Sequence, residues 1–106
     1  MKFLVIAKSV HPIPPEMALG IFDATIAWHK RTKESGKFES AWGLAGLPAG
    51  AGVVNVASLE ELQAIMAEFP LQPFSNIEVY PLVDINVSME STKKAILAMM
   101  PPGAGR

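Results

Sequence analysis

The stretch Phe69-Pro70-Leu71-Gln72-Pro73-Phe74-Ser75-Asn76-Ile77-Glu78-Val79-Tyr80-Pro81-Leu82-Val83-Asp84 decides how this chain folds. Pro70 lacks the amide that a continuing helix needs, so a helix must stop at Phe69, and Pro73 keeps the next residues in a turn. Beyond the turn Ile77, Val79, Val83 and Ile85 alternate with Glu78, Tyr80, Leu82 and Asp84, which predicts a strand from Asn76 to about Asn86. Pro81 removes one ladder donor, so this strand belongs at a sheet edge or at a bulge.

Working back from the turn, Ser58-Leu59-Glu60-Glu61 has the spacing of a capping box, and Leu59, Leu62, Ile65, Met66 and Phe69 follow at intervals of three and four. That is a second helix with one apolar stripe. Before it, Phe38 to Leu44 alternates Phe38, Ser40, Trp42 and Leu44 with Glu39, Ala41 and Gly43, and a short strand is expected over Val53 to Ala57. Between them Gly43, Gly46, Gly50 and Gly52 read as a flexible hairpin connection with no ligand role. A first helix is expected from Pro15 to Ser35, closed by Gly36. At about 100° per residue it carries Met17, Ala18, Ile21, Ala24, Thr25, Trp28, His29 and Thr32 on one face. Glu16, Asp23, Lys30 and Glu34 fall on the other, which removes Asp23 and Glu34 as candidate bases.

The first strand, residues 2 to 9, is apolar on both alternating sets, with Phe3, Val5 and Ala7 on one side and Leu4 and Ile6 on the other. Such a strand is buried on both faces. Together with a last short helix at about Met89 to Met100, the order is β-α-β-β-α-β plus a C-terminal helix, the ferredoxin-like pattern of an α+β protein. One domain over residues 1 to 100 is expected, with residues 101 to 106 as a disordered tail.

Half of the 106 residues are hydrophobic and 18% are charged, a high apolar load for so short a chain. Two-sided strands and this surplus point to two sheets packed face to face as a dimeric α+β barrel, in a homodimer or larger homo-oligomer. A net charge of −1 offers no basic footprint for nucleic acid. No segment approaches the roughly 20 apolar residues that span a bilayer, and Lys8 interrupts the apolar start before a cleavable leader could form, so a cytoplasmic protein is expected. With no cysteine and only His11 and His29, no metal site is expected.

The residues of the opening stretch, read as a proline-aromatic turn leading into Ile77-Glu78-Val79, resemble the muconolactone isomerase-like family, with Phe69 where that family has leucine. The resemblance extends back through Ser58-Leu59-Glu60-Glu61, the hairpin after Gly46, Trp42 and Gly36. It implies a cofactor-free isomerase that moves a proton along a small unsaturated lactone or related cyclic substrate, and assemblies larger than a dimer. Such chemistry needs a group that titrates near neutrality and a donor for the developing oxygen charge. Where the family's first helix carries carboxylates, this chain reads Ala24-Thr25-Ile26-Ala27, so that base is missing.

His29 is the replacement candidate, since imidazole titrates near pH 6.5. Its competing reading is a hydrogen-bonded residue at the margin of the core. Lys8 or Tyr80 is expected as oxyanion partner, against a solvated strand-end lysine. Glu78 and Asp84 lie on the Tyr80 side of the last strand, as a polar wall or as charges that guard an edge. Thr25, Trp28, Trp42, Phe38, Phe74 and Tyr80 are the candidates to line a pocket for a small apolar cyclic ligand. Two other functions stay open: a ligand-binding or scaffold protein that kept the fold and lost the base, and a cofactor-free monooxygenase of the dimeric barrel class.

Overall fold

The computed structural model describes residues 1 to 103. Four antiparallel strands form one sheet in the order β2-β3-β1-β4. They are β1 (Lys2–Ser9), β2 (Phe38–Gly43), β3 (Ala49–Asn55) and β4 (Ser75–Leu82), interleaved with helices α1 (Pro15–Glu34) and α2 (Leu59–Ala67) and followed by α3 (Ile85–Met99). The element order is ferredoxin-like, as the sequence suggests. β4 is an edge strand, so the missing amide of Pro81 costs no interior hydrogen bond.

Of the two helix ends set by local chemistry, one forms as expected and the other in part. α1 ends in a Schellman arrangement, with the Lys37 amide donating to the Thr32 carbonyl at 3.1 Å and the Gly36 amide to Lys33 at 3.0 Å. Gly36 has φ +82°, a conformation that a Cβ would strain. At α2 the Ser58 hydroxyl accepts from the Glu61 amide at 3.1 Å. Only this half of the capping box forms, because the Glu61 carboxylate turns to Lys37 at 2.7 Å.

Several boundaries differ from the sequence reading, α2 ending at Ala67 instead of Phe69 and β3 at Asn55 instead of Ala57. β3 begins at Ala49, not Val53, because the Ala-Gly segment is held between β1 and β2, and ladder pairing on both sides outweighs the weak strand preference of glycine. β4 ends at Leu82, not near Asn86. The Asp84 carboxylate accepts from the amides of Asn86 and Val87 at 3.0 and 3.2 Å, so it caps α3 four residues earlier than expected and forms no wall with Glu78. Of the expected tail, Pro102 and Gly103 form a turn, and residues 104 to 106 lie outside the described residues.

One face of the sheet carries the core: Phe3, Val5, Phe38, Val54 and Val56 pack with Trp28 of α1 and Leu62 of α2. α3 stands apart. Apart from Ser88, none of its residues is even partly buried. The Cα radius of gyration is 18.9 Å, against about 13 Å for a compact chain of this length, and the long axis reaches 68 Å.

Candidate functional site

Residues opposite one another across an antiparallel ladder point to the same side, so the register sorts every side chain. Three rungs face the helices. The first reads Phe38-Val54-Phe3-Pro81, the second Ala41-Gly52-Val5-Val79 and the third Gly43-Gly50-Ala7-Ile77. Side-chain size falls from rung to rung over β2, β3 and β1. Trp28 fills the space above the large end, its ring edge-on to Phe38 at 5.2 Å and against Phe69 at 4.9 Å, with Nε1 donating to the Ile65 carbonyl at 3.2 Å. Above the small end no described side chain fills the gap, and a cavity of about 550 Å³ opens between sheet and α1.

The turn at residues 69 to 75 walls this cavity through Phe69, Leu71, Phe74 and Ser75. It is held in place by the Phe74 carbonyl, which accepts from the amides of Val10 and His11 at 2.9 and 3.2 Å. The same motif that ends α2 and starts β4 therefore also closes the pocket.

His29 lines the cavity and is the only titratable side chain among the described residues that do. Its ring lies 5.3 Å from that of Phe38, and Nε2 is buried with no hydrogen-bond partner among the described residues. A desolvated polar atom of this kind costs about 1–3 kcal/mol. One helical turn earlier Thr25 also lines the cavity, its hydroxyl donating to the Ile21 carbonyl at 2.8 Å. At the sheet end Ser9 and Ser75 pair across β1 and β4 and both border the space. No three metal-ligating side chains come together among the described residues.

Of the residues singled out in the sequence, Thr25, Trp28, His29, Phe38, Trp42 and Phe74 all border the cavity. Trp28 and Phe38 do so as core, being 5% and 7% exposed. Trp42 does not share Phe38's side. An irregularity between Phe38 and Ser40 shifts the alternation, so Trp42 pairs with Ala51 on the opposite face and is 58% exposed. Lys8 and Tyr80 do not border the cavity. They belong to the opposite face of the sheet, where the Lys8 ammonium lies 3.1 Å from Glu78 and the Tyr80 hydroxyl donates to the same carboxylate. The Tyr80 hydroxyl and then Lys8 hold the Glu78 carboxyl below its ordinary range, and bonding to Glu78 pushes the Tyr80 phenol up. As oxyanion partners of His29 both are misplaced, because the sheet separates them from it.

The glycines are what the sequence reading missed. Gly43, Gly50 and Gly52 floor the pocket. The signal was there: two glycines at i and i+2 in a strand remove both side chains from one face.

The muconolactone delta-isomerase family model matches residues 1–86. The muconolactone delta-isomerase of Rhodococcus opacus is 34% identical over 74 residues, covering 66% of this chain and 80% of that protein. Among solved structures, a muconolactone isomerase superposes with TM-score 0.73 at 28% identity, over 79% of this chain and 90% of the other. The 5-chloro-2-hydroxyhydroquinone dehydrochlorinase of Burkholderia phenoliruptrix, solved with 2,5-dihydroxybenzoquinone, gives TM-score 0.63 at 15% identity, over 82% and 98%, a likeness of fold alone. The matched span contains the rungs, the turn and His29, and the chain belongs to the muconolactone delta-isomerase family.

Proposed function

We propose that the protein is a cofactor-free isomerase that moves a proton on a small unsaturated lactone or related cyclic substrate, with His29 as the acid/base. The observation that carries this reading is the buried, unpartnered Nε2 of His29 beside an apolar cavity. In the step, imidazole takes a proton from a ring carbon activated by the carbonyl, the electron pair passes into a dienolate, and the imidazolium, whose proton exchanges with water, delivers a proton to another carbon. Nothing is oxidised or reduced. The developing negative oxygen needs a donor, and the hydroxyls of Ser9 and Ser75 at the cavity's end replace Lys8 and Tyr80 in that role.

The second reading, a ligand-binding protein without catalysis, is favoured by one observation: no carboxylate lines the cavity among the described residues. His29→Gln separates the two. Loss of a general acid/base lowers turnover by about 10²–10⁴-fold, so an isomerase loses proton exchange between substrate and D2O, followed by NMR, while the variant remains folded. Unchanged exchange in the variant sinks the role of His29.

Self-association belongs to the same proposal. Leu4, Ile6, Ala51 and Val53 form a half-buried apolar strip on the sheet face away from the helices, bordered by the exposed Trp42 and Leu82. A second copy packing its equivalent sheet against that strip would make the dimeric barrel. No described helix is long and apolar enough to cross a membrane.

A further inference from the structure

The cavity's lining is unusual in what it omits. Among the described residues that border it there is no lysine, arginine, aspartate or glutamate. The nearest cation along the strand, Lys8, alternates to the other face and is already paired with Glu78. Its polar groups are neutral hydroxyls and one imidazole. A carboxylate entering such a space would shed water with no opposite charge to meet it, a cost that hydroxyl donors only partly offset.

Shape adds a second restriction. The Gly43-Gly50-Ala7 rung presents almost bare backbone over three neighbouring strands, which is a flat floor. Gly50 takes no positive φ, and a Cβ built there meets only the Trp42 carbonyl oxygen, at an ordinary 3.5 Å. Nothing in the packing of the fold forbids a side chain at this position, so its absence leaves room for something else. The Ser9 and Ser75 pair follows immediately along the strands and supplies donors at one end of the floor.

From these observations we infer that the pocket takes a flat, uncharged ring bearing a carbonyl oxygen and discriminates against rings bearing a carboxylate, with Gly50 as the residue that sets whether the ring can lie on the sheet. This rests on the cavity being the ligand site, as proposed above, and names the class of ligand it accepts.

The test uses two probes of nearly equal size, coumarin-3-carboxamide and coumarin-3-carboxylate, titrated calorimetrically into the full chain at pH 8. The carboxamide is expected to bind at least about tenfold more tightly, the factor that an uncompensated charge readily produces. Gly50→Val should remove carboxamide binding while the circular dichroism spectrum is retained. If the valine variant does not fold, Gly50→Ala should show a smaller loss in the same direction. Equal or tighter binding of the carboxylate overturns the charge selection but leaves the pocket as a ligand site. Unchanged carboxamide binding in a folded Gly50 variant overturns the floor. Binding of neither probe to the unsubstituted chain removes the cavity as a site for cyclic ligands and takes the proposed isomerase with it.

Discussion

The two faces of the sheet are made of the same four strands and have opposite fates. On the helix side, side chains dwindle from Phe3, Val54 and Phe38 to Ala7, Gly50 and Gly43, so packing is tight at one end and leaves a cavity at the other. On the far side Leu4, Ile6 and Val53 keep their bulk, no element among the described residues covers them, and the charged and polar groups have found one another in the Lys8-Glu78-Tyr80 cluster. In the proposed function the emptiness on the covered face holds the ligand, and the apolar bulk on the bare face is the surface offered to a second copy. Period-two alternation makes the division possible, because neighbouring residues of one strand answer to different demands.

The largest effect expected from breaking this contrast is on the tight end of the covered face. Trp28→Ala removes a buried indole, its edge contact with Phe38 and its hydrogen bond to Ile65, and should destabilise the chain by about 3–5 kcal/mol in urea unfolding. A loss under about 1 kcal/mol would mean that the two ends of the face are equally loose. On the bare face, Leu4→Lys should leave the monomer folded, since Leu4 is only half-buried, yet shift sedimentation toward monomer by placing a charge in the strip. An unchanged assembly would move the contact to another surface, α3 first.

The smallest effect concerns the polar cluster. Glu78 is held below its ordinary value, so its contribution to stability is present at neutral pH and lost as pH falls through the lowered value. Tyr80 is raised, so its contribution is complete below the ordinary phenol range and lost as pH climbs through the raised value. Tyr80 is the sole tyrosine, and its phenolate absorbance should appear at higher pH than in the unfolded chain. In Tyr80→Phe the Glu78 carboxyl should titrate at higher pH by NMR, while binding in the cavity, across the sheet, stays as it was. A change in cavity binding would show that the two faces communicate.

How far the site could be read in advance depended on how far each residue's position follows from local rules. His29 and Thr25 were placed correctly, because helical periodicity alone puts them on the face that meets the sheet, and the same arithmetic put the exposed Asp23 and Glu34 outside. Phe74 followed from the proline turn. Trp42 borders the cavity but does not share a side with Phe38, since one irregularity between Phe38 and Ser40 reverses every later side chain, and no residue type announces it. Lys8 and Tyr80 failed as partners of His29 because a strand's alternation says which residues share a face but not which face the helices will cover. The glycine floor looked like a loop, for glycine carries little strand preference and the pairing that overrides it comes from strands distant in sequence.

What the sequence by itself determined, then, is what short-range physics governs: the Pro70 stop, the Ser58 cap, the Gly36 terminus, the order of elements and the apolar faces of α1 and α2. Only the tertiary structure decided that β1 lies between β3 and β4, that the small residues of three strands share one rung of the cavity that His29 lines, and that Lys8 is cut off from it by the sheet. Register between distant strands is chosen by the summed packing of many side chains, so the cavity is a property of the assembled sheet and of no single segment.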